Sequence, residues 1–268
     1  MHAPAAPSSP DASLLIVEIG NSHLAVATAV DREMRTVQRM MPGEFAEFES
    51  ALEPAWESLP EDRPRGVAVA SVVPALLPRA LEALHRLSGA EPLVVGRQIR
   101  LPLPVALADP GSVGADRLCS AAAAFERIGR ACAVASFGTA TTIDCVNDAG
   151  VFLGGAILPG LAMQAGALHE GTAQLPRVRI TKTTTVFGGD TEEAINVGIV
   201  WGAVGALRAI VERYATHLNG WPPLVVTGGF GPLIAELNEF VDALVPDLCL
   251  RGIALAYRRH FSNAGPAT

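Results

Sequence analysis

Ala131-Cys132-Ala133-Val134-Ala135-Ser136-Phe137-Gly138-Thr139-Ala140-Thr141-Thr142-Ile143-Asp144 is the stretch on which the fold of this chain turns. It is an apolar run, broken at Gly138, that resumes as a burst of hydroxyls. Leu14-Leu15-Ile16-Val17-Glu18-Ile19-Gly20-Asn21-Ser22 repeats the plan near the start: apolar run, carboxylate, glycine, small polar side chains. A strand that breaks at glycine and exposes amides beside short hydroxyls makes a cradle for phosphate. Either segment alone reads equally well as an ordinary hairpin turn. Together, one in each half, they favour a duplicated domain that grips a polyphosphate from both sides.

The surrounding pattern is α/β. Strand-like runs recur at Leu14–Ile19, His23–Val30, Gly66–Val73, Pro92–Val95, Ala131–Ala135, Thr141–Val146, Val151–Ile157 and Leu224–Val226. Helical periodicity occupies roughly Gly43–Leu59, Ala75–Gly89, Ser112–Gly129, Gly160–Leu168, Asp190–Leu218, Pro232–Leu237 and Ile253–Phe261. Mixed sheets flanked by helices follow from this alternation. The expected division is a disordered tail at 1–12, an N-terminal lobe at 13–130, a C-terminal lobe at 131–262 and a tail at 263–268. Met1 to Ala12 has neither the basic segment nor the apolar core of a signal peptide.

Bulk properties narrow the function. The 268 residues are 50% hydrophobic and 18% charged, which describes a packed globular chain. A net charge of −7, with Lys and Arg scattered, argues against nucleic acid and anionic membranes as partners. Cys119, Cys132, Cys145 and Cys249 lack metal-ligand spacing and read as reduced thiols of a cytoplasmic protein. Val151–Leu168 is broken by glycines and Pro159, and Ala194–Val211 by Asn196 and Arg208, so both read as core or subunit interface rather than membrane spans. The histidines are dispersed and read as structural.

Val113-Gly114-Ala115-Asp116-Arg117 is the sharpest chemical candidate. The glycine lets the chain turn into a helix whose positive end keeps Asp116 ionised and able to accept a proton, with Arg117 placed for an anionic group. A surface helix-start Asp beside an Arg gives the same string. Thr139, Thr141 and Thr142, with the Gly138 amide, are candidate donors to the β- and γ-phosphates. Thr227-Gly228-Gly229 closes a buried strand in a manner suited to close passage of a nucleotide. Asp190-Thr191-Glu192-Glu193 is a helix start, followed by a stripe of Gly198, Gly202, Gly205 and Ala209. No P-loop, dinucleotide fingerprint or nucleophile elbow occurs.

In order, these segments resemble the type III pantothenate kinase family of the acetate and sugar kinase/Hsp70/actin superfamily. The resemblance runs from about Leu14 to about Ala256. It rests on Gly20-Asn21-Ser22-His23, Ala70-Ser71-Val72-Val73-Pro74, Gly114-Ala115-Asp116-Arg117, Gly138 to Asp144, Gly154 to Gly160, Gly171 to Pro176, Asp190-Thr191 and Thr227-Gly228-Gly229. It implies a duplicated ribonuclease H-like (actin-like ATPase) fold and transfer of the γ-phosphoryl of ATP to pantothenate, the first step of coenzyme A synthesis. It also implies Mg²⁺, a monovalent cation such as K⁺ or NH₄⁺, and a homodimer. On that resemblance Asp116 is the catalytic base, and Gly114, Ala115, Arg117 and Thr191 bind pantothenate. Glu18, Gly20, Asn21, Ser22, Gly138, Thr139, Thr141 and Gly228 serve ATP. The chain departs from the family in three places: Glu18 replaces an Asp and is the candidate Mg²⁺ position, Ser136 replaces the Asp of the monovalent-cation position, and Leu107 replaces a frequent Tyr. A catalytically degenerate relative with a ligand-binding or regulatory role, and a kinase for a different small alcohol, are the alternatives these departures leave open.

Overall fold

The structure, a computed structural model, describes residues 9–262; residues 1–8 and 263–268 of the expected tails lie outside the described residues. Residues 9–12 already belong to the fold: the Ala12 amide donates to the Ser9 carbonyl (3.1 Å) and Ala12 is buried. Five strands form the first sheet: β1 (Ser13–Ile19), β2 (Leu24–Val30), β3 (Glu33–Met40), β4 (Arg65–Ser71) and β5 (Leu93–Val94), in the order β3-β2-β1-β4-β5. The first three are antiparallel neighbours, and β4 and β5 run parallel to β1.

The second sheet repeats this plan. It contains β6 (Cys132–Phe137), β7 (Ala140–Val146), β8 (Phe152–Pro159), β9 (Leu224–Thr227) and β10 (Ala243–Leu244), in the order β8-β7-β6-β9-β10. Here too the first three pair antiparallel and the last two follow parallel to the first. Helices recur at matching points. α1 (Phe45–Glu57), α2 (Leu77–Ser88) and α3 (Ala115–Ile128) follow β3, β4 and β5; α4 (Leu161–Glu170), α6 (Gly231–Glu236) and α7 (Leu248–Ser262) follow β8, β9 and β10. Among the α-helices of the described residues, α5 (Thr191–Leu218), between α4 and β9, has no counterpart. This is the duplicated ribonuclease H-like fold of the actin-like ATPases.

β1 is apolar at successive positions because both its faces are covered. One face carries Leu15, Val17 and Ile19 beneath Phe48 and Leu52 of α1 and Leu84 of α2. The other carries Leu14 and Ile16, with Ala25, Ala27 and Ala68 beside them, beneath Cys119 of α3 and Leu250, Ile253 and Tyr257 of α7. Close approach depends on glycine here: a Cβ at Gly66 would lie 2.3 Å from the Tyr257 hydroxyl oxygen.

In the second sheet Ala133, Ala135, Phe137, Ile143, Leu224 and Val226 share a face with Leu161 of α4 and Ile199, Val200, Leu207 and Val211 of α5. By length and composition α5 could cross a membrane. Its buried stripe lies on the second core instead, and the Tyr214 hydroxyl anchors it by donating to the Ile143 carbonyl (2.7 Å).

Two features differ from the sequence expectations. β3 (Glu-Met-Arg-Thr-Val-Gln-Arg-Met) is an edge strand with no buried position, so it lacks the apolar signal of a strand. The compact units are also not contiguous. One comprises the chain up to Pro104, Ala108–Ala123 and the chain from Asp247 on; the other comprises Val105–Leu107 and Ala124–Pro246. The expected break at 130/131 therefore misassigns α7, whose Leu250, Ile253 and Tyr257 complete the core of the first unit.

Candidate active site

In the first unit, Glu18 ends the row Leu14-Ile16-Glu18, the face of β1 that α3 and α7 cover. Its register partners are Ala25 and Ala70, which leave space around the carboxylate, and its side chain is 13% exposed. His23 approaches it, with Nε2 3.7 Å from Oε1. Cys249 of α7 lies near enough to the same carboxylate to feel its charge. Burial and the neighbouring carboxylates of Glu18 and Asp116 push that thiol up, so it is protonated at neutral pH. The turn after β1 closes on itself, since the Gly20 amide donates to the His23 carbonyl (2.9 Å) and leaves Asn21 and Ser22 exposed at its tip.

Asp116 lies in the first turn of α3. The Gly114 carbonyl accepts from the Arg117 and Leu118 amides (3.1 and 3.3 Å), and Asp116 Oδ1 accepts from the Arg117 amide (2.9 Å). Asp116 folds back over the helix start, so a Cβ at Gly114 would sit 2.4 Å from Oδ1; the position is fitted to glycine. Desolvation raises the Asp116 pKa above the ordinary carboxylate value, and the Glu18 charge adds to it against the opposing Arg117 amide. Glu18 and Asp116, far apart in sequence, are thus electrostatic neighbours. A carboxylate raised in this way is a better proton acceptor than a free Asp.

In the second unit, the turn between β6 and β7 repeats the first one. The Gly138 amide donates to the Ala140 carbonyl (3.1 Å), so this expected phosphate donor is taken by the turn itself. Thr139 stands exposed at the tip. Gly160 packs against this turn; its amide donates to the Thr139 carbonyl (3.0 Å), and a Cβ there would meet the Gly138 and Thr139 carbonyl oxygens at 2.3 Å. Gly228, with φ +90°, lies over the end of β6, and its Cβ would come within 2.6 Å of the Phe137 backbone. Strand alternation separates the threonines. Thr141 shares the core face with Phe137 and Ile143, and its hydroxyl is buried without a hydrogen-bond partner among the described residues, which corrects its expected place on the phosphate side.

The opposite face of this sheet turns polar toward the β6–β7 turn, beyond the buried Val134 and Val225. Ser136 pairs in register with Thr142 on β7 and Thr227 on β9, and Asp144 lies two residues beyond Thr142. Ser136 occupies in β6 the place Glu18 holds in β1, two residues before the glycine of the turn. Asp148 lies elsewhere, at the β7–β8 turn, accepting from the Ala131 amide (2.9 Å). Thr191 is exposed at the start of α5, after Asp190, whose carboxylate caps the helix through the Glu193 amide (2.8 Å). Ala115 and Arg117 flank Asp116. Among the described residues, no group of three or more His, Cys, Asp or Glu side chains forms a metal site by itself.

Sequence reasoning missed Cys249 as a neighbour of Glu18; it assigned Thr227 to the nucleotide rather than beside Ser136, and had Asp144 near Ser136 in sequence alone. Asp144 was in reach through the period-2 alternation from Thr142. Cys249 carried no local signal, because only the packing of α7 brings it to Glu18.

Residues 14–213 match the family model described as type III pantothenate kinase. A type III pantothenate kinase of Syntrophotalea carbinolica is 41% identical over 74% of this chain and 78% of its own length. One of Dehalococcoides mccartyi is 35% identical over 91% and 97%. Among solved structures, a Baf family protein of Campylobacter jejuni superposes with a TM-score of 0.62, at 19% identity, over 91% of this chain and 98% of that one.

Proposed function

The chain belongs to the type III pantothenate kinase family, and from that premise we propose that it transfers the γ-phosphoryl group of ATP to the primary hydroxyl of pantothenate, the first step of coenzyme A synthesis. The observation that carries this reading is Asp116: a carboxylate at a helix start, raised by burial, beside a second carboxylate. Asp116 accepts the proton of the substrate hydroxyl as its oxygen bonds to the γ-phosphorus and the bond to the β–γ bridging oxygen breaks, releasing ADP. Arg117 pairs with the pantothenate carboxylate, and Gly114, Ala115 and Thr191 line the substrate. Asn21, Ser22 and Thr139, at the tips of their turns, contact phosphate oxygens. Gly20, Gly138 and Gly228 shape the backbone that allows this.

Glu18 fits a divalent cation, being a carboxylate with only small residues in register beside it. Glu18 would hold Mg²⁺ there, which would supply charge neutralisation for the nucleotide's phosphates. For the monovalent cation, Ser136, Thr142 and Thr227 offer neutral oxygens on one face, and Asp144 supplies a charge nearby.

The test is purified protein with ATP, Mg²⁺ and pantothenate, with and without K⁺ or NH₄⁺, scored by mass for phosphopantothenate. Turnover is expected, and Ser136→Asp is expected to lower the K⁺ concentration for half-maximal rate by about fivefold, the ~1 kcal/mol of an accessible charge pair. Intact ATP binding with no product from pantothenate would overturn the reading. An unchanged K⁺ response in the variant would remove the cation from Ser136.

A homodimer and a cytoplasmic setting complete the proposal. Val186 and Phe187, 75% and 86% exposed, and Ile157 and Trp201 are large apolar side chains that the second unit leaves to solvent, as a surface covered by a second chain would. Nothing lies within 4 Å of a Cβ placed at Gly198, Gly202 or Gly205, so that stripe is open to a second chain. Light scattering is expected to give twice the 27.9 kDa chain mass; a monomer at micromolar concentration would refute the dimer.

A further inference from the structure

Residues 171–190 join α4 to α5 without a helix or strand, yet they are held at several points. Asn196, buried in the second turn of α5, treats the Thr181 backbone as a neighbouring strand would. Its Oδ1 accepts from the Thr181 amide (3.0 Å) and its Nδ2 donates to the Thr181 carbonyl (3.1 Å). Ile180 and Thr183, on either side, are buried, and Lys182 pairs with Glu236 of α6 (2.6 Å). A connection of this length without regular structure ordinarily serves a function, and this one ends at Thr191.

Its last residues are tied to the first turn of α5. Asp190 Oδ1 accepts from the Glu193 amide, and in return Glu193 Oε2 accepts from the Gly189 amide (2.7 Å). This is a reciprocal capping box, with the glutamate reaching one residue further back than the usual N-cap amide. Gly188 rests on the same turn: a Cβ there would lie 2.3 Å from the Ala194 nitrogen and 2.4 Å from its Cα. Asp190 alone suffices to cap the helix, and a first-turn glutamate favours the helix dipole without any hydrogen bond. The reach of Glu193 back to Gly189 is therefore a restraint on the bend that the helix itself does not need. A binding residue contributes fully only when it is held within about 0.5 Å of its productive place.

We propose that Glu193 is a positioning residue, whose carboxylate fixes the bend at Gly189 and Asp190 and so sets Thr191 in place for pantothenate. This rests on the kinase reading for the identity of the ligand and for the role of Thr191. It predicts that the accepting oxygen, rather than the charge, is what counts.

The experiment is calorimetric titration of the full-length protein with pantothenate, alongside steady-state kinetics and amide hydrogen exchange over residues 187–191. Glu193→Ala is expected to raise Kd and KM for pantothenate by about fivefold, as for one lost hydrogen bond, and to speed exchange at Gly189. The KM for ATP and kcat should change much less. Glu193→Gln, whose amide oxygen still accepts, is expected to restore both binding and protection. In a Thr191→Val background, Glu193→Ala should add less than about twofold, because it acts through Thr191.

An unchanged Kd for pantothenate in Glu193→Ala, an equal rise in the KM for ATP, or the same factor in the Thr191→Val background would overturn the proposal. So would failure of Glu193→Gln to restore binding, or a lower melting temperature with no change in KM, which marks a merely structural role. A wild-type protein that binds ATP but forms no phosphopantothenate refutes the substrate reading instead. The exchange comparison then still reads the restraint, and unchanged exchange at Gly189 would remove it, so the two failures are distinguishable.

Discussion

Asp116→Asn is expected to lower kcat for phosphopantothenate formation by about 10²–10⁴-fold, the range typical for removal of a positioned general base. The amide can keep the hydrogen bond from the Arg117 amide that Asp116 Oδ1 accepts, so the first turn of α3 and the affinity for ATP should be almost unchanged. The pH dependence gives a second readout. Because burial raises Asp116, the folded protein holds this proton more tightly than the unfolded chain. Its contribution to stability is complete below the unfolded value of about 3.9 and is lost as pH rises through the raised folded value. The asparagine variant has no such loss, so it should melt no lower than wild type at pH 8, and any advantage should shrink toward about pH 4. In the wild type, the acid limb of kcat/KM should lie above the ordinary Asp value, because only the deprotonated carboxylate accepts the proton. Turnover within tenfold of wild type in Asp116→Asn would remove the base assignment.

The largest expected effect on stability is at Gly252. A Cβ there would sit 1.9 Å from the carbonyl oxygen, 2.2 Å from the carbonyl carbon and 2.6 Å from the Cα of Cys119. All three are backbone atoms of a neighbouring helix, so no rotamer change relieves the overlap and α7 must move away from α3. Overpacking ordinarily costs about 1–3 kcal/mol. A backbone collision belongs at or beyond the top of that range, and a fall in melting temperature of roughly 10 °C is expected for a chain of this size. Gly43→Ala, at a position with nothing within 4 Å of the new Cβ, is the control and should change little. A melting temperature within about 2 °C of wild type would contradict the packing described.

Much of the site was legible because its carriers are local. A strand, a glycine and a hydroxyl cluster are adjacent in sequence, and the two copies of that plan proved to be equivalent strands, β1 and β6, of two sheets with one topology. Asp116 was legible because a glycine before a helical pattern marks a first turn. Thr141 was misplaced although the information was present: two residues before the buried Ile143, it falls on the apolar face. β3 escaped because an exposed edge strand has no burial to imprint a hydrophobic alternation on it. The nearness of Cys249 to Glu18, and the membership of α7 in the first unit, depend on contacts between segments far apart in sequence, which local periodicity does not encode.

That last arrangement bears on how the polypeptide is made. When the nascent chain has emerged only as far as β10, the second unit has all its segments, whereas the first still lacks Leu250, Ile253 and Tyr257 over one face of its sheet. Order of synthesis and order of completion are therefore reversed, against the usual tendency of domains to fold from the N-terminus as the ribosome advances. Until α7 arrives, Leu14, Ile16 and their alanine neighbours remain an open apolar surface that a chaperone can hold, and the Glu18 carboxylate has no thiol beside it. α7, which emerges after every segment of the second unit, thus seals a sheet whose first strand was made long before it.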